Sequence, residues 1–157
     1  YSNIKLNEII FLKKLGIEPF SKKFNTKYFE KFIFNKKKNV KNLLMDQTFI
    51  SGLGNIYVNE VLFMSKIHPL RTCDGLNKTE MKKLVLNIKK ILKFSISKGG
   101  SSIKDFQNIM GKSGNFQQFF HVYEQEKKNC SRISCKGKIK KIRISNRSSF
   151  YCDKCQN

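Results

Sequence analysis

The sequence predicts a mainly α-helical domain followed by a small β-hairpin whose base is bracketed by cysteines. Three observations carry that prediction. Apolar residues recur at helical spacing through the first hundred positions, glycine and proline punctuate them at intervals that suit short helices, and four of the five cysteines lie between positions 130 and 155. A chain of 157 residues has room for one ordinary core and a small appendage, not for two full domains.

Taken in order, Leu6, Ile9, Ile10 and Lys13 keep an approximate helical period until Gly16 and Pro19 break it, and Phe24, Tyr28, Phe32 and Ile33 resume it. The run Lys36-Lys37-Lys38 precedes Val40, Leu43 and Leu44, which share one face of the next helix. Ser51, Gly52 and Gly54 interrupt that helix, and Asn55 is positioned to cap another that runs to about Lys66 before Pro69. Asn77, with Glu80 three residues on, has the form of a capping box, and Met81, Leu84, Val85, Ile88, Ile91 and Leu92 make one apolar stripe ending at Gly99 and Gly100. Residues 99–120 read as a long ordered loop with a short helix around Gln117–Tyr123. Beyond them, residues 136–151 alternate as strands. The change of composition places the domain boundary between 1–122 and 123–157.

The 32 Lys+Arg against 11 Asp+Glu leave a net charge of +21, which opposes compaction unless an anionic partner neutralises it. A polyanion is the expected partner, although a compositional bias toward Lys, Asn, Ile and Phe accounts for part of the excess. No stretch approaches the roughly 18–20 uninterrupted apolar residues of a membrane span, and no signal-peptide pattern opens the chain, so a soluble intracellular protein is expected.

The spacing Cys130-x4-Cys135-x16-Cys152-x2-Cys155 supplies two chelating pairs separated by enough chain for a hairpin. Four thiolates give closed tetrahedral coordination, so the expected metal is a single structural zinc ion with no position for a reactive water. Cys73 stands apart and is expected to pack. The glycine turn Ser51-Gly52-Leu53-Gly54-Asn55 lets backbone N–H groups approach an anion just where a helix presents its positive N-terminus.

Several of these segments together resemble the formamidopyrimidine-DNA glycosylases. The run Leu43-Leu44-Met45-Asp46-Gln47 through Gly52-Leu53-Gly54-Asn55-Ile56-Tyr57, then Glu60, Leu62-Phe63 and Ile67-His68-Pro69, is similar to that family's helix-two-turns-helix segment. Leu15-Gly16-Ile17-Glu18-Pro19 upstream, Gly99-Gly100-Ser101-Ser102-Ile103-Lys104-Asp105-Phe106 downstream, and Arg147-Ser148-Ser149-Phe150-Tyr151-Cys152 with Cys155-Gln156 continue the likeness in order and spacing. The resemblance implies a helical domain with a helix-two-turns-helix motif at about 39–66 and a C-terminal zinc finger. The implied activity is base-excision repair: a bifunctional DNA glycosylase and AP lyase that removes 8-oxoguanine and formamidopyrimidines, flipping the base out of the duplex, and then cleaves the abasic strand. By the same resemblance Asn55, Gly54 and Lys38 contact backbone phosphate, Arg147 grips the damaged nucleotide and serves the elimination step, and the loop carrying Gly100, Ser101 and Ser102 closes over the flipped base. The partner is double-stranded DNA with oxidised or abasic sites, and the setting is a monomer in the bacterial cytoplasm at the nucleoid.

Two departures qualify the likeness. Gly114-Asn115-Phe116 stands where the family usually has Gly-Tyr-Phe, and the chain begins Tyr1-Ser2-Asn3 instead of with the proline whose secondary amine is the family's nucleophile. The sequence therefore resembles the family's C-terminal half, expected to bind DNA without excising a base alone. A truncated, non-enzymatic DNA-binding module is the alternative reading, and a ribosomal RNA-binding protein a third.

Overall fold

The computed structural model describes residues 2–100 and 114–157. Helix α1 (Ser2–Lys13) forms where the periodicity predicts it, but Leu6, Ile9, Ile10, Phe11 and Leu12 all stay exposed, so these five apolar residues do not join the core. Asparagines then start three helices. Asn25 Oδ1 accepts the Tyr28 N–H (3.0 Å) to begin α2 (Thr26–Ile33), and Asn39 Oδ1 accepts the Asn42 N–H (2.8 Å) to begin α3 (Val40–Met45).

Helix α4 (Asn55–Ser65) departs from expectation at its start. Gly54, not Asn55, occupies the capping position, with extended backbone and no side-chain cap; Asn55 is already helical and its amide points elsewhere. Lys66, in the left-handed region, ends the helix. The capping box of α5 (Lys78–Ser97) forms as predicted, with Asn77 Oδ1 accepting from Glu80 N and Glu80 Oε2 accepting from Asn77 N, both at 2.9 Å. The predicted stripe is buried through Met81, Leu84, Val85, Ile88 and Ile91 and packs against α4. The short helix expected at Gln117–Tyr123 is a 3-10 turn at Phe116–Phe119.

Phe49 lies at the centre of the helical core, ringed by Phe24, Tyr28, Phe29 and Phe32 at centroid distances of 4.8–6.0 Å. Gly16 is required beside it, because a Cβ there would stand 2.4 Å from the Phe49 carbonyl carbon. That approach lets Gly16 N donate to Gln47 O (2.7 Å) and Ser51 N to Ile17 O (3.1 Å), fixing the turn that leads into α4. Cys73 packs in this core, as expected, and burial pushes its thiol up to about 11.

Strands β1 (Ile139–Ile144) and β2 (Arg147–Cys152) pair antiparallel, Ile139 opposite Cys152 and Ile144 opposite Arg147. Ser145 and Asn146 form the two-residue turn with φ of 47° and 63°, a type I′ geometry whose twist matches the strands. A second apolar cluster, of Phe63, Val122, Cys130, Ile139, Phe150 and Cys152, joins the finger to α4.

Candidate nucleic-acid interface and metal centre

In a two-stranded sheet each strand has an outer edge with no ladder partner, and side chains bond three backbone groups on the outer edge of β2. Ser148 O accepts from Asn55 Nδ2 (3.1 Å) and Lys41 Nζ (3.0 Å), Phe150 N donates to Asn59 Oδ1 (2.7 Å), and Cys152 N donates to Gln156 Oε1 (2.7 Å). Lys41 also bonds Ser149 Oγ, and Asn42 Nδ2 reaches Ser145 Oγ in the hairpin turn (3.0 Å). The hairpin therefore lies along α4 with its tip beside the N-terminus of that helix. Gln156 Nε2 to Ile67 O and His68 N to Asn157 O, both 2.9 Å, tie its base beside the C-terminal end.

This arrangement brings Gly54, Asn55 and Arg147 together. The first-turn amides of α4 have no intrahelical acceptor, and Gly54 adds no side chain in front of them, leaving a positive, open helix end. Arg147 is exposed at the first position of β2, one residue from the carbonyl that Asn55 and Lys41 hold. Lys41 itself is 1 % exposed; burial first, and the Arg147 charge second, lower its pKa to about 8. Lys38 is engaged otherwise, in a 3.0 Å ion pair with Asp46 on the surface. Gly100 is in the left-handed region with φ of 78°, whereas Ser101 and Ser102 fall outside the described residues.

The described residues on either side of 101–113 meet. Asn115 N donates to Lys98 O (3.0 Å) and Phe116 N to Gly100 O (2.9 Å), and a Cβ on Gly114 would sit 2.0 Å from Gly100 O. Just beyond, the fully buried Glu60 carboxylate accepts the backbone N–H groups of His121, Val122 and Tyr123, each at 2.9 Å. One acidic side chain of α4 thus anchors the passage from helical domain to finger.

The four C-terminal cysteines converge. Their sulfurs all lie within 4.8 Å of one another, with Cys130–Cys155 at 3.8 Å and Cys135–Cys152 at 3.6 Å. A tetrahedral zinc with bonds of about 2.3 Å spaces its sulfurs by about 3.8 Å, so the donor set fits such an ion. Burial, and then the neighbouring Cys152 and Cys130 sulfurs, push the Cys155 thiol up to about 12. Gly137 is needed here, because its Cβ would stand 2.5 Å from Cys152 Sγ. The wide first knuckle is braced by Arg132, which lies over the Phe63 ring at 4.4 Å and donates to Phe63 O.

Sequence reasoning assigned no role to Lys41, Asn59, Glu60 or Gln156. Glu60 and Gln156 stood within matching motifs. Asn55 and Asn59 are four apart on a helix, a spacing that puts both on one face and was the available signal.

Comparison with known proteins places these features in one family. Residues 15–107 match the model of the formamidopyrimidine-DNA glycosylase H2TH domain, and residues 128–157 match that of the zinc finger found in FPG and IleRS. The formamidopyrimidine-DNA glycosylase of Prochlorococcus marinus subsp. pastoris is 43% identical over 150 residues, 96% of this chain and 51% of the relative. That of Wolbachia sp. subsp. Brugia malayi is 41% identical over 153 residues, 98% of this chain and 56% of the relative. Among solved structures, the complex of Lactococcus lactis Fpg with abasic-site DNA superposes with a TM-score of 0.86 at 35% identity, covering 98% of this chain and 55% of that one. The MutM (FPG) protein of Thermus thermophilus superposes at 0.87 and 30% identity, covering 95% and 56%. The chain spans about half the length of the relatives it matches. With more than half of its residues inside the H2TH model and its cysteines gathered in the matching finger, the chain belongs to the formamidopyrimidine-DNA glycosylase family.

Proposed function

We propose that this chain is the DNA-holding part of a base-excision-repair glycosylase and AP lyase that removes oxidised purines and cleaves the abasic strand. The carrying observation is the meeting of the α4 N-terminus with the hairpin tip, which puts Gly54, Asn55 and Arg147 on one surface. A helix N-terminus beside a guanidinium suits the phosphates flanking an extruded nucleotide. Relatives bound to abasic-site and FAPY-dG DNA support the choice of ligand. Lys38 is assigned to a neighbouring phosphate after exchanging Asp46 for it, and the loop through Gly100, Ser101 and Ser102 to the everted base.

Cys130, Cys135, Cys152 and Cys155 would hold one zinc ion, which supplies structural closure to the finger comprising residues 123–157 and leaves Arg147 presented on a rigid hairpin. Neither Pro19 nor Pro69 has a free secondary amine, so base excision is assigned to the intact protein, acting as a monomer in the bacterial cytoplasm at the nucleoid.

The test is binding of the 157-residue chain to a duplex carrying a stable abasic-site analogue, compared with undamaged duplex and with RNA. Preferential binding of the abasic duplex, weakened by roughly 1–3 kcal/mol in Arg147→Ala at constant zinc content, is expected. Equal affinity for both duplexes would favour a simple DNA-binding module, and a preference for RNA would overturn the assignment. Borohydride is expected to trap no covalent complex with this chain.

A further inference from the structure

Asn55 and Asn59 meet β2 through a coincidence of two periods. Four residues of helix advance about 6 Å, and two residues of strand advance about 6.7 Å. The pair Asn55 and Asn59 therefore matches the pair Ser148 and Phe150, whose outward-facing carbonyl and amide they bond at 3.1 and 2.7 Å. A slip of β2 by one residue would turn those groups toward β1, and a slip by two would carry the tip about 6.7 Å along the helix.

The two asparagines differ in exposure. Asn55 is partly exposed at the helix end proposed to meet phosphate, where an anion competes with Ser148 O for its amide. Asn59 is 1 % exposed and both ends of its amide are used internally: Nδ2 donates to Asn55 O at 2.8 Å while Oδ1 accepts from Phe150 N. The base of the hairpin is fixed by Gln156 and its tip is held by Asn55, Lys41 and Asn42, while Asn59 holds the midpoint at Phe150, three residues from Arg147, through a buried backbone amide that only one in-register placement of β2 presents to it.

We infer that Asn59 is a positioning residue that sets the register of β2 on α4 and thereby the place at which Arg147 meets the DNA backbone. The inference rests on the DNA-holding function proposed above. It assigns Asn59 no contact with DNA; its effect passes through Arg147.

A double-mutant cycle on the abasic-analogue duplex tests it, using the full 157-residue chain with zinc content verified. Asn59→Leu removes the acceptor and is expected to weaken binding about tenfold, with the plot of log affinity against log salt about one unit shallower, the signature of one lost phosphate contact. Asn59→Leu with Arg147→Ala should bind no more weakly than Arg147→Ala alone. Equal weakening by Asn59→Leu in the presence and absence of Arg147, or parental affinity of Asn59→Leu, overturns the inference. If Asn59→Leu does not retain zinc, Asn59→Ala, which adds no volume, is read in its place against the same outcomes. Should the parent and Arg147→Ala bind alike, the DNA-holding reading itself fails. Faster hydrogen exchange of the Phe150 amide in the leucine variant reads the register bond without DNA, and unchanged exchange would count against it.

Discussion

At the scale of single residues, Lys41 shows how much one buried amine organises. Its ammonium bridges α3 to Ser148 and Ser149, yet it is held where a charge is poorly solvated, and its pKa falls from 10.5 to about 8. Because the folded value lies below the unfolded one, the unfolded chain binds more protons between about pH 8 and 10.5, and folding stability gains as pH rises through that window. Below about pH 8 the full cost, on the order of 3 kcal/mol, is present. Chemical denaturation of the parent and Lys41→Met should therefore show their difference shifting in favour of the parent by up to that amount between about pH 7.5 and 10. A difference independent of pH would mean that the amine is solvated in the folded protein. Glu60 acts through hydrogen bonds alone, its side chain accepting three backbone N–H groups. Glu60→Gln turns an N–H toward at least one of them, and a loss of about 2–3 kcal/mol is expected. Thermal denaturation would register it as a fall of roughly 4–12 °C for a domain of this size.

Among the elements, the finger carries the four cysteines placed to bind a metal and the helices carry none of them. The helical core from Phe24 to Ile91 contains none of the four ligands, whereas Cys130 and Cys152 are themselves part of the small cluster under the hairpin. Cys152→Ser is expected to lose stoichiometric zinc and amide protection through residues 123–157, while the far-UV helical signal of α2 to α5 persists. Metal analysis and hydrogen exchange on the same sample check both halves of that statement. Helices and finger were legible in the sequence for the same reason: their signals are local. Capping by Asn77, the stripe of α5 and the cysteine spacing are each written within a short stretch of chain. The join between them is not local. Lys41 and Ser148 are 107 positions apart and Asn59 and Phe150 are 91 apart, so no periodicity could announce them. Asn55 was placed at the right helix end but given the wrong partner, because a capping asparagine and one reaching across to a hairpin look alike until the hairpin arrives.

For the whole molecule, the charge of +21 is the property that a partner feels first. Affinity for duplex DNA should fall linearly on logarithmic axes as salt rises, with about 0.9 in slope for each phosphate neutralised. A slope of several units is expected; one near zero would show the lysine excess to be compositional alone. Gly100 and Gly114 meet so closely that the entry and exit of the intervening stretch are held in place by the scaffold, with bonds from Asn115 to Lys98 and from Phe116 to Gly100. Such a junction is a natural splice point for engineering. Replacing residues 101–113 by the corresponding stretch of a relative, with both glycines kept, would exchange that segment as a cassette while the host scaffold keeps its fold.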